Sequence, residues 1–486
     1  MLRNFLLFLL IAFLLLAVVL GINTVRFASR QITKPGTPAR QFRIEEEAVN
    51  KLRGAIRIPT VSFDDPDMMD TAAFSNMLIY LDDNFPLVAT GMQKTIINKY
   101  SVIYHWLGKK NTNNPAILYA HYDVVPVELV NRDQWLHDPW TGDTAKGSIW
   151  GRGTLDDKGS MIAMLVAAER MMKNGFVPEN DIYFIFGHDE EVGGERGAGM
   201  VAKYLSEKKI TTRFNLDEGG PCSHGIVPFI DRPVILAGTA EKGYVTLRLT
   251  AKVKGGHSSK PEKITSTGVL VQALSRLEKY KFPQKVSPVM LDFITYAGPE
   301  MKMPYKLVFA NTWLFKPLIL KAYQEISAEG NALTRSTFAI TILEAGIKEN
   351  LIPGVASAKV NFRILTGEQV NTVLKQVKKV IDDDRVKIDV IRPIEPSPVT
   401  NTDTYGFRLI QEVSASVFPD AVFSPFLMLG GTDSKHFENI SASLIRCQPV
   451  RMDAEQLRTV HGVNERIGIH DFMEMIAFYE ELIRRI

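Results

Sequence analysis

Histidines and acids recur in this chain at the ends of apolar runs. His121 and Asp123 follow residues 116–120, Asp156 and Asp157 sit in a glycine turn, Glu190 and Glu191 in another, Asp217 in a third, and His461 near the C-terminus. Imidazoles and carboxylates are ligands that zinc accepts, and a carboxylate beside such an ion can act as a general base. The group has ligands for two metal ions with one carboxylate to spare. Taken singly, each member has an ordinary explanation: a lone histidine after a strand is usually a satisfied core residue, acids opening a helix suit its dipole, and successive acids are often solvated. Local context adds detail. Asp123 can accept from one ring nitrogen of His121 and leave the other for a metal. Gly187, Gly193 and Gly194 bracket Glu190 and Glu191, so the backbone can approach closely and the two carboxylates can turn to different partners. The turn Gly151–Gly159 lacks both the glycine spacing of a dinucleotide fingerprint and the lysine of a phosphate loop.

The elements that must position these residues can be read from periodicity. Ile44, Ala48, Val49, Leu52, Ala55 and Ile56 fall on one face of a helix that opens the globular part. Short apolar runs at 116–120, 182–186 and 214–216 alternate with helical patterns at 161–172 and 198–205. That alternation predicts an α/β fold, a mainly parallel sheet flanked by helices, with catalytic residues at the strands' carboxyl ends. From about residue 238 the texture changes. Val245, Leu247 and Leu249 alternate with polar residues, a helix carries Val269, Leu270, Ala273, Leu274 and Leu277, and strands recur at 338–343, 358–364 and 386–391. The expected organisation is a catalytic domain in two parts, 41–237 and 393–486, around an inserted smaller α+β lobe at 238–392. Within that lobe, residues 304–323 are apolar and aromatic and are expected as local core, the alternative being a wall for a greasy substrate.

The chain has 486 residues, 45% hydrophobic and 23% charged, which is globular composition and enough for two lobes. A formal charge of +3 with no basic stripe argues against a nucleic-acid partner. Cys222 and Cys447 are too few for a disulfide framework, and their pairing is not readable. Residues 5–20 are unbroken apolar sequence, so residues 1–30 read as a signal anchor or signal peptide, with the anchor favoured, followed by a linker at 31–40. The catalytic part would then be extracytoplasmic, membrane-anchored or, after cleavage, secreted.

Six ordered motifs carry a family resemblance. They are Ala120-His121-Tyr122-Asp123-Val124-Val125-Pro126, the glycine turn at Asp156, Glu190-Glu191, Asp217-Glu218-Gly219-Gly220, Gly256-His257-Ser258-Ser259 and His461-Gly462-Val463-Asn464-Glu465. From about Ile44 onward the chain resembles the dinuclear zinc exopeptidases and deacylases that include aminoacylase, carnosinase, succinyl-diaminopimelate desuccinylase and yeast vacuolar carboxypeptidase S. Residues 311–315 and 151–158 are most similar to the branch of carboxypeptidase S and the secreted N-fatty-acyl-amino-acid synthase/hydrolase.

The resemblance implies two zinc ions, or another divalent ion, per subunit. Asp156 would bridge them, His121 and Asp217 would complete one, and Glu191 and His461 the other. Glu190 would be the general base, Asp123 would orient His121, and His257 would donate to the oxyanion from its own or a partner subunit. The Asp156–Asp157 peptide bond would be cis. Asn350, Arg363, Gly431, Thr432 and His436 match positions that recognise the substrate's carboxylate. The implied reaction is cleavage, or in reverse formation, of the amide joining an acyl or peptidyl group to a C-terminal amino acid, by a homodimer formed through the inserted lobe. A dipeptidase or aminopeptidase of the same family is the alternative. An inactive membrane-tethered zinc-binding protein is the alternative of another class, opposed by the intact set of matched residues.

Overall fold

In the computed structural model, residues 1–34, 36–110 and 114–486 are described. The main lobe is built on an eight-stranded sheet in the order Gln93–Ile97, Ser101–Trp106, Ile182–Gly187, Ala116–His121, Phe214–Ser223, Leu444–Met452, Val234–Glu241, Val422–Met428. Its middle four strands are mutually parallel, as the alternation of strands and helices predicts, and antiparallel neighbours extend the sheet outward. All residues of Ala116–His121 and Ile182–Gly187 are buried. Strands covered on both faces need no polar side, so they read as continuous apolar runs.

The helix Lys158–Lys173 lies over one face with Glu46–Ile56 and Ile469–Arg485 against it, and Ala198–Glu207 covers the other with Phe437 and Ile440. In Glu46–Ile56 the buried residues are Ala48, Val49, Leu52, Ala55 and Ile56, the expected stripe, while Ile44 lies before the helix and is exposed.

The inserted lobe has its own antiparallel sheet, ordered Thr337–Ala345, Val355–Ile364, Gly243–Lys252, Val386–Ile394, with Ser266–Lys279 and Val370–Ile381 packed on it. Val245, Leu247, Leu249 and Ala251 are buried and alternate with wetter residues, as a sheet with one solvated face requires. The expected insertion of 238–392 is nonetheless divided by packing. Strand Val234–Glu241 belongs to the main sheet, and helices between residues 288 and 326 fold back onto that sheet's edge. Met290, Ile294, Phe309 and Ile319 cover Val234, Leu236 and Val422 there. Residues 304–323 are therefore partly core, but of the main lobe's edge, and partly exposed.

The N-terminal helix Leu2–Arg26 has 25 residues, none buried, and is long and apolar enough to cross a membrane by length and composition. The segment expected as a linker lies along the main lobe: the Gln31 side chain donates to the carbonyls of Tyr296 and Phe423 at 3.1 Å, and Arg40 to that of Ser416 at 2.9 Å. Pro35, in the same linker, lies outside the described residues. Cys222 and Cys447 are buried and free.

Candidate active site

His121 is the last residue of its strand, where the chain leaves the sheet. Its Nδ1 lies 3.0 Å from the carbonyl oxygen of Asp123 and 3.3 Å from that residue's carboxylate. Those acceptors put the proton on Nδ1 and leave Nε2 free to coordinate. The Asp123 carboxylate also accepts from the Ser62 hydroxyl at 2.7 Å and from the backbone N–H groups of Glu190 and Glu191 at 3.1 and 3.2 Å. One buried acid thus orients both the histidine and the turn bearing the acid pair. Burial works against its charge, but His121 and Ser62 hold its carboxyl below the usual range.

Asp156 is delivered by the glycine turn, and its peptide bond to Asp157 is cis. The turn is held by Glu465: Oε1 accepts the N–H groups of Gly153, Leu155 and Asp156 at 3.0, 2.9 and 3.2 Å, while Oε2 pairs with Arg152 at 2.5 Å. Gln448 donates to Asp157 at 3.0 Å and to the carbonyl of Leu155. So fixed, Asp156 presents Oδ1 to His121 Nε2 at 2.9 Å and Oδ2 to His461 Nε2 at 2.8 Å. Glu191 approaches His461 Nε2 at 3.1 Å.

The fourth acid corrects an expectation. The structure brings Glu218, not Asp217, to His121, with Oε2 3.6 Å from Nε2. His121, Asp156 and Glu218 form one group of ligand atoms within 4.8 Å of one another, and Asp156, Glu191 and His461 form another. Asp217 faces away: Oδ2 accepts the N–H and hydroxyl of Ser434 at 2.8 and 2.9 Å. The reason is the pleat. Both acids lie in strand Phe214–Ser223, whose successive side chains point to opposite faces, so only one can meet His121.

The acids crowd one another. Burial, reinforced by neighbouring carboxylates, pushes Glu190, Glu191 and Glu218 above the usual carboxylate range. His461, hydrogen-bonded to Asp156 and Glu191, is pushed up to about 10. Burial pulls His121 down, but Glu218, Asp123 and Asp156 outweigh it and hold it well above its ordinary value. Such a concentration of anionic oxygen is what a pair of divalent cations would neutralise.

The remaining expected residues lie apart from these two groups. His257 is exposed in the inserted lobe; its Nδ1 accepts the N–H of Ser259 at 3.2 Å, which puts the ring proton on Nε2. Asn350 is exposed beside it, and its backbone carbonyl accepts from the Ser258 N–H at 3.1 Å. Arg363 is half-buried, with its guanidinium 4.9 Å from the centre of the Tyr244 ring. Gly431 is exposed with open space around its Cα. Thr432 is buried, its N–H and hydroxyl both donating to Glu241 at 2.9 and 2.7 Å. His436 places Nε2 3.0 Å from the carbonyl of Gly193. Among the described residues none of these six shares a hydrogen bond or ion pair with the two ligand groups. Thr432 and His436 are committed to holding their loops. Sequence reasoning gave no role to Glu218 and Glu465, although both stand in the quoted motifs; the alternation of Asp217 and Glu218 along a strand was the available signal for the first.

A set of carboxylates and imidazoles gathered from strands and turns, with a spare glutamate beside them, defines a metal-dependent hydrolase on an α/β fold. The model of peptidase family M20/M25/M40 matches residues 117–485, and the chain belongs to that family. It is 37% identical over 486 residues to the probable carboxypeptidase S-like 2 of Dictyostelium discoideum, covering 98% of this chain and 92% of the relative. It is 38% identical over 443 residues to the N-fatty-acyl-amino acid synthase/hydrolase of Xenopus tropicalis, covering 90% and 86%. Among solved structures, an M20 family metallo-carboxypeptidase of Sulfolobus solfataricus superposes with a TM-score of 0.67 at 18% identity, covering 91% of this chain and 99% of that one. Human carnosine dipeptidase 1 gives 0.62 at 16%, covering 90% and 96%. These two share the fold.

Proposed function

We propose that the chain is a zinc-dependent amidohydrolase that cleaves the amide bond between an acyl or peptidyl group and a C-terminal amino acid, and that can form that bond in reverse. The observation that carries the reading is Asp156, whose two oxygens face two different histidines at 2.9 and 2.8 Å, with Glu218 on one side and Glu191 on the other. Histidine and carboxylate donors in that set fit two zinc ions: His121 and Glu218 would hold one, Glu191 and His461 the other, and Asp156 both. When bound, the pair supplies Lewis acidity that activates water and polarises the scissile carbonyl.

The chain's own residues do the rest. Glu190, next to the ligand Glu191, takes the proton of the attacking water and delivers it to the departing amine. Its position is set by Asp123, which holds its backbone N–H. His257 offers its Nε2–H as donor to the oxyanion. Arg363, pre-organised on Tyr244, with Asn350 and the open backbone at Gly431, receives the substrate carboxylate; Thr432 and His436 position the loops around it. The two named relatives, a carboxypeptidase S-like protein and an acyl-amino acid synthase/hydrolase, both support this substrate class. The helix Leu2–Arg26 serves as an uncleaved anchor with the catalytic body extracytoplasmic.

A screen of zinc-loaded protein against N-acyl amino acids and free dipeptides tests the reading. Acylated substrates should be hydrolysed, and Glu190→Gln should abolish turnover while metal content is unchanged. Hydrolysis of free dipeptides alone would move the protein to the dipeptidase class.

A further inference from the structure

The last turns of the N-terminal helix are fastened to the catalytic body. Asn23 Nδ2 donates to Asn311 Oδ1 at 2.8 Å, and Asn311 Nδ2 donates back to the carbonyl of Leu20 at 3.3 Å. Asn311 stands at the junction of helices Tyr305–Ala310 and Thr312–Ile326. Just beyond, the ring of Phe27 packs against Gly298 and joins the apolar cluster of Met290, Phe309 and Ile319. Helix Thr312–Ile326 therefore has a fixed place relative to the apolar segment. Residues 5–20 are its unbroken apolar stretch, at 1.5 Å per residue roughly 24 Å of helix, so Leu20 falls near one boundary of the hydrocarbon. Asn311 is then at the level of the headgroups.

At that level the body presents apolar surface to solvent. On the helix Trp313, Leu314 and Leu318 are 61%, 39% and 55% exposed, and Met303 before it is 61% exposed. Leaving such side chains in water is unfavourable, and the other face of the same helix already packs inward through Ile319. Residues 301–321 contain Lys302, Lys306, Lys316 and Lys321 and no acid, and Lys302 pairs with Asp231 at 2.7 Å and Lys321 with Glu325, in the last turn of the helix, at 3.9 Å. Among the described residues neither Lys306 nor Lys316 is in an ion pair. Tryptophan and leucine flanked by lysines suit the boundary between acyl chains and phosphates, where the ring sits among headgroups and the ammonium reaches the phosphate.

We propose that the exposed face of helix Thr312–Ile326 rests in the headgroup layer of the bilayer that the N-terminal helix enters, a second contact that fixes the orientation of the catalytic body on the membrane. The inference rests on the reading of Leu2–Arg26 as a retained anchor. The occupant of the face is lipid rather than another protein, because the anchor brings that face to the bilayer and Lys306 and Lys316 match its phosphates.

The test uses the full chain in vesicles of phosphatidylcholine and phosphatidylserine that carry a nitroxide-labelled lipid. Because Cys222 and Cys447 are buried, a single new thiol can be labelled with a polarity-sensitive fluorophore, at Leu318→Cys or, as control, at exposed Gln93→Cys on the opposite edge strand of the main sheet. The Leu318 probe should shift to the blue and lose most of its emission to the nitroxide, with the Gln93 probe unchanged. If the chain stays with the vesicles after alkaline extraction but the Leu318 probe remains unquenched, the second contact is wrong and the anchor stands. If the chain is found cleaved and released by extraction, the anchor reading falls and the contact falls with it.

Discussion

Asp156 is the residue on which the two halves of the site turn, since each of its oxygens is engaged by a different imidazole. The acids beyond it are not interchangeable. Glu218 shares a ligand group with His121, while Asp217 holds the Ser434 N–H and hydroxyl. Glu218→Gln should therefore lose about one of the two zinc ions that the donor set fits, whereas Asp217→Asn, whose side chain still has an oxygen for the Ser434 N–H, should keep both. Metal analysis of the purified variants decides it; loss from Asp217→Asn alone would restore the expectation drawn from the motif. Chelation gives a second prediction. Without cations Glu190, Glu191, Glu218 and Asp156 repel one another, so stripping metal should lower the melting temperature and zinc should restore it. At a hundredfold excess over Kd a ligand bound only by the folded state contributes about 2.7 kcal/mol per site. A melting curve indifferent to chelator would count against the site.

The turns that deliver these acids depend on features with no metal-binding chemistry of their own. Gly194 has φ +73°, and a Cβ there would stand 1.7 Å from the buried Asp433 carboxylate. Gly194→Ala should cost about 1–3 kcal/mol in backbone strain alone, more with the collision, read by denaturant unfolding together with lost activity. Glu465→Gln should leave Arg152 without its counter-charge, and breaking a buried pair costs about 3–5 kcal/mol; unfolding stability and zinc content should fall together. These elements also mark what a sequence discloses. Strands Ala116–His121 and Ile182–Gly187 were legible because burial on both faces demands unbroken apolar residues, and the motifs at their ends followed. Strand Phe214–Ser223 was read only to residue 216, because Asp217-Glu218-Gly219-Gly220 looks like a turn, yet pairing with Leu444–Met452 carries it on. That hidden extension is why the motif points to Asp217 while the geometry groups Glu218 with His121. Glu465 was opaque for a related reason: an anion that accepts three backbone N–H groups 309 to 312 residues away has the same letter as one on the surface. The division of residues 238–392 was equally unreadable, since an apolar stripe on a helix does not say which sheet it will cover.

At the scale of the whole molecule, the chain crosses from one lobe to the other at Lys242. Glu241 ends a main-sheet strand, Gly243 begins a lobe strand, and the returning chain is tied there by the Ser397 hydroxyl, which accepts the Glu241 N–H at 2.8 Å. His257 sits beyond this crossing, exposed and, among the described residues, joined to neither ligand group within its own chain. The lobe also leaves a strand edge open. Thr337–Ala345 is the outer strand of its sheet, Leu343 on it is 65% exposed, and Ile347 in the turn that follows is 93% exposed. An unpaired edge with apolar side chains is a natural place for a second copy to add. If that dimer forms and carries the lobe of one copy over the site of the other, the His257 that completes each active site would come from the other subunit. His257→Ala should lower kcat by about 10²- to 10³-fold, as for loss of an oxyanion donor, with zinc content unaltered. Glu190→Gln should be inactive by itself. When the two variants are co-expressed, each mixed dimer holds one site that has both its own Glu190 and a partner's His257, so activity should return well above either parent. A co-expressed preparation no more active than its parents, with mixed dimers shown by differential tagging, would place His257 over the site of its own chain and make closure between lobes, rather than dimer assembly, the step that completes catalysis.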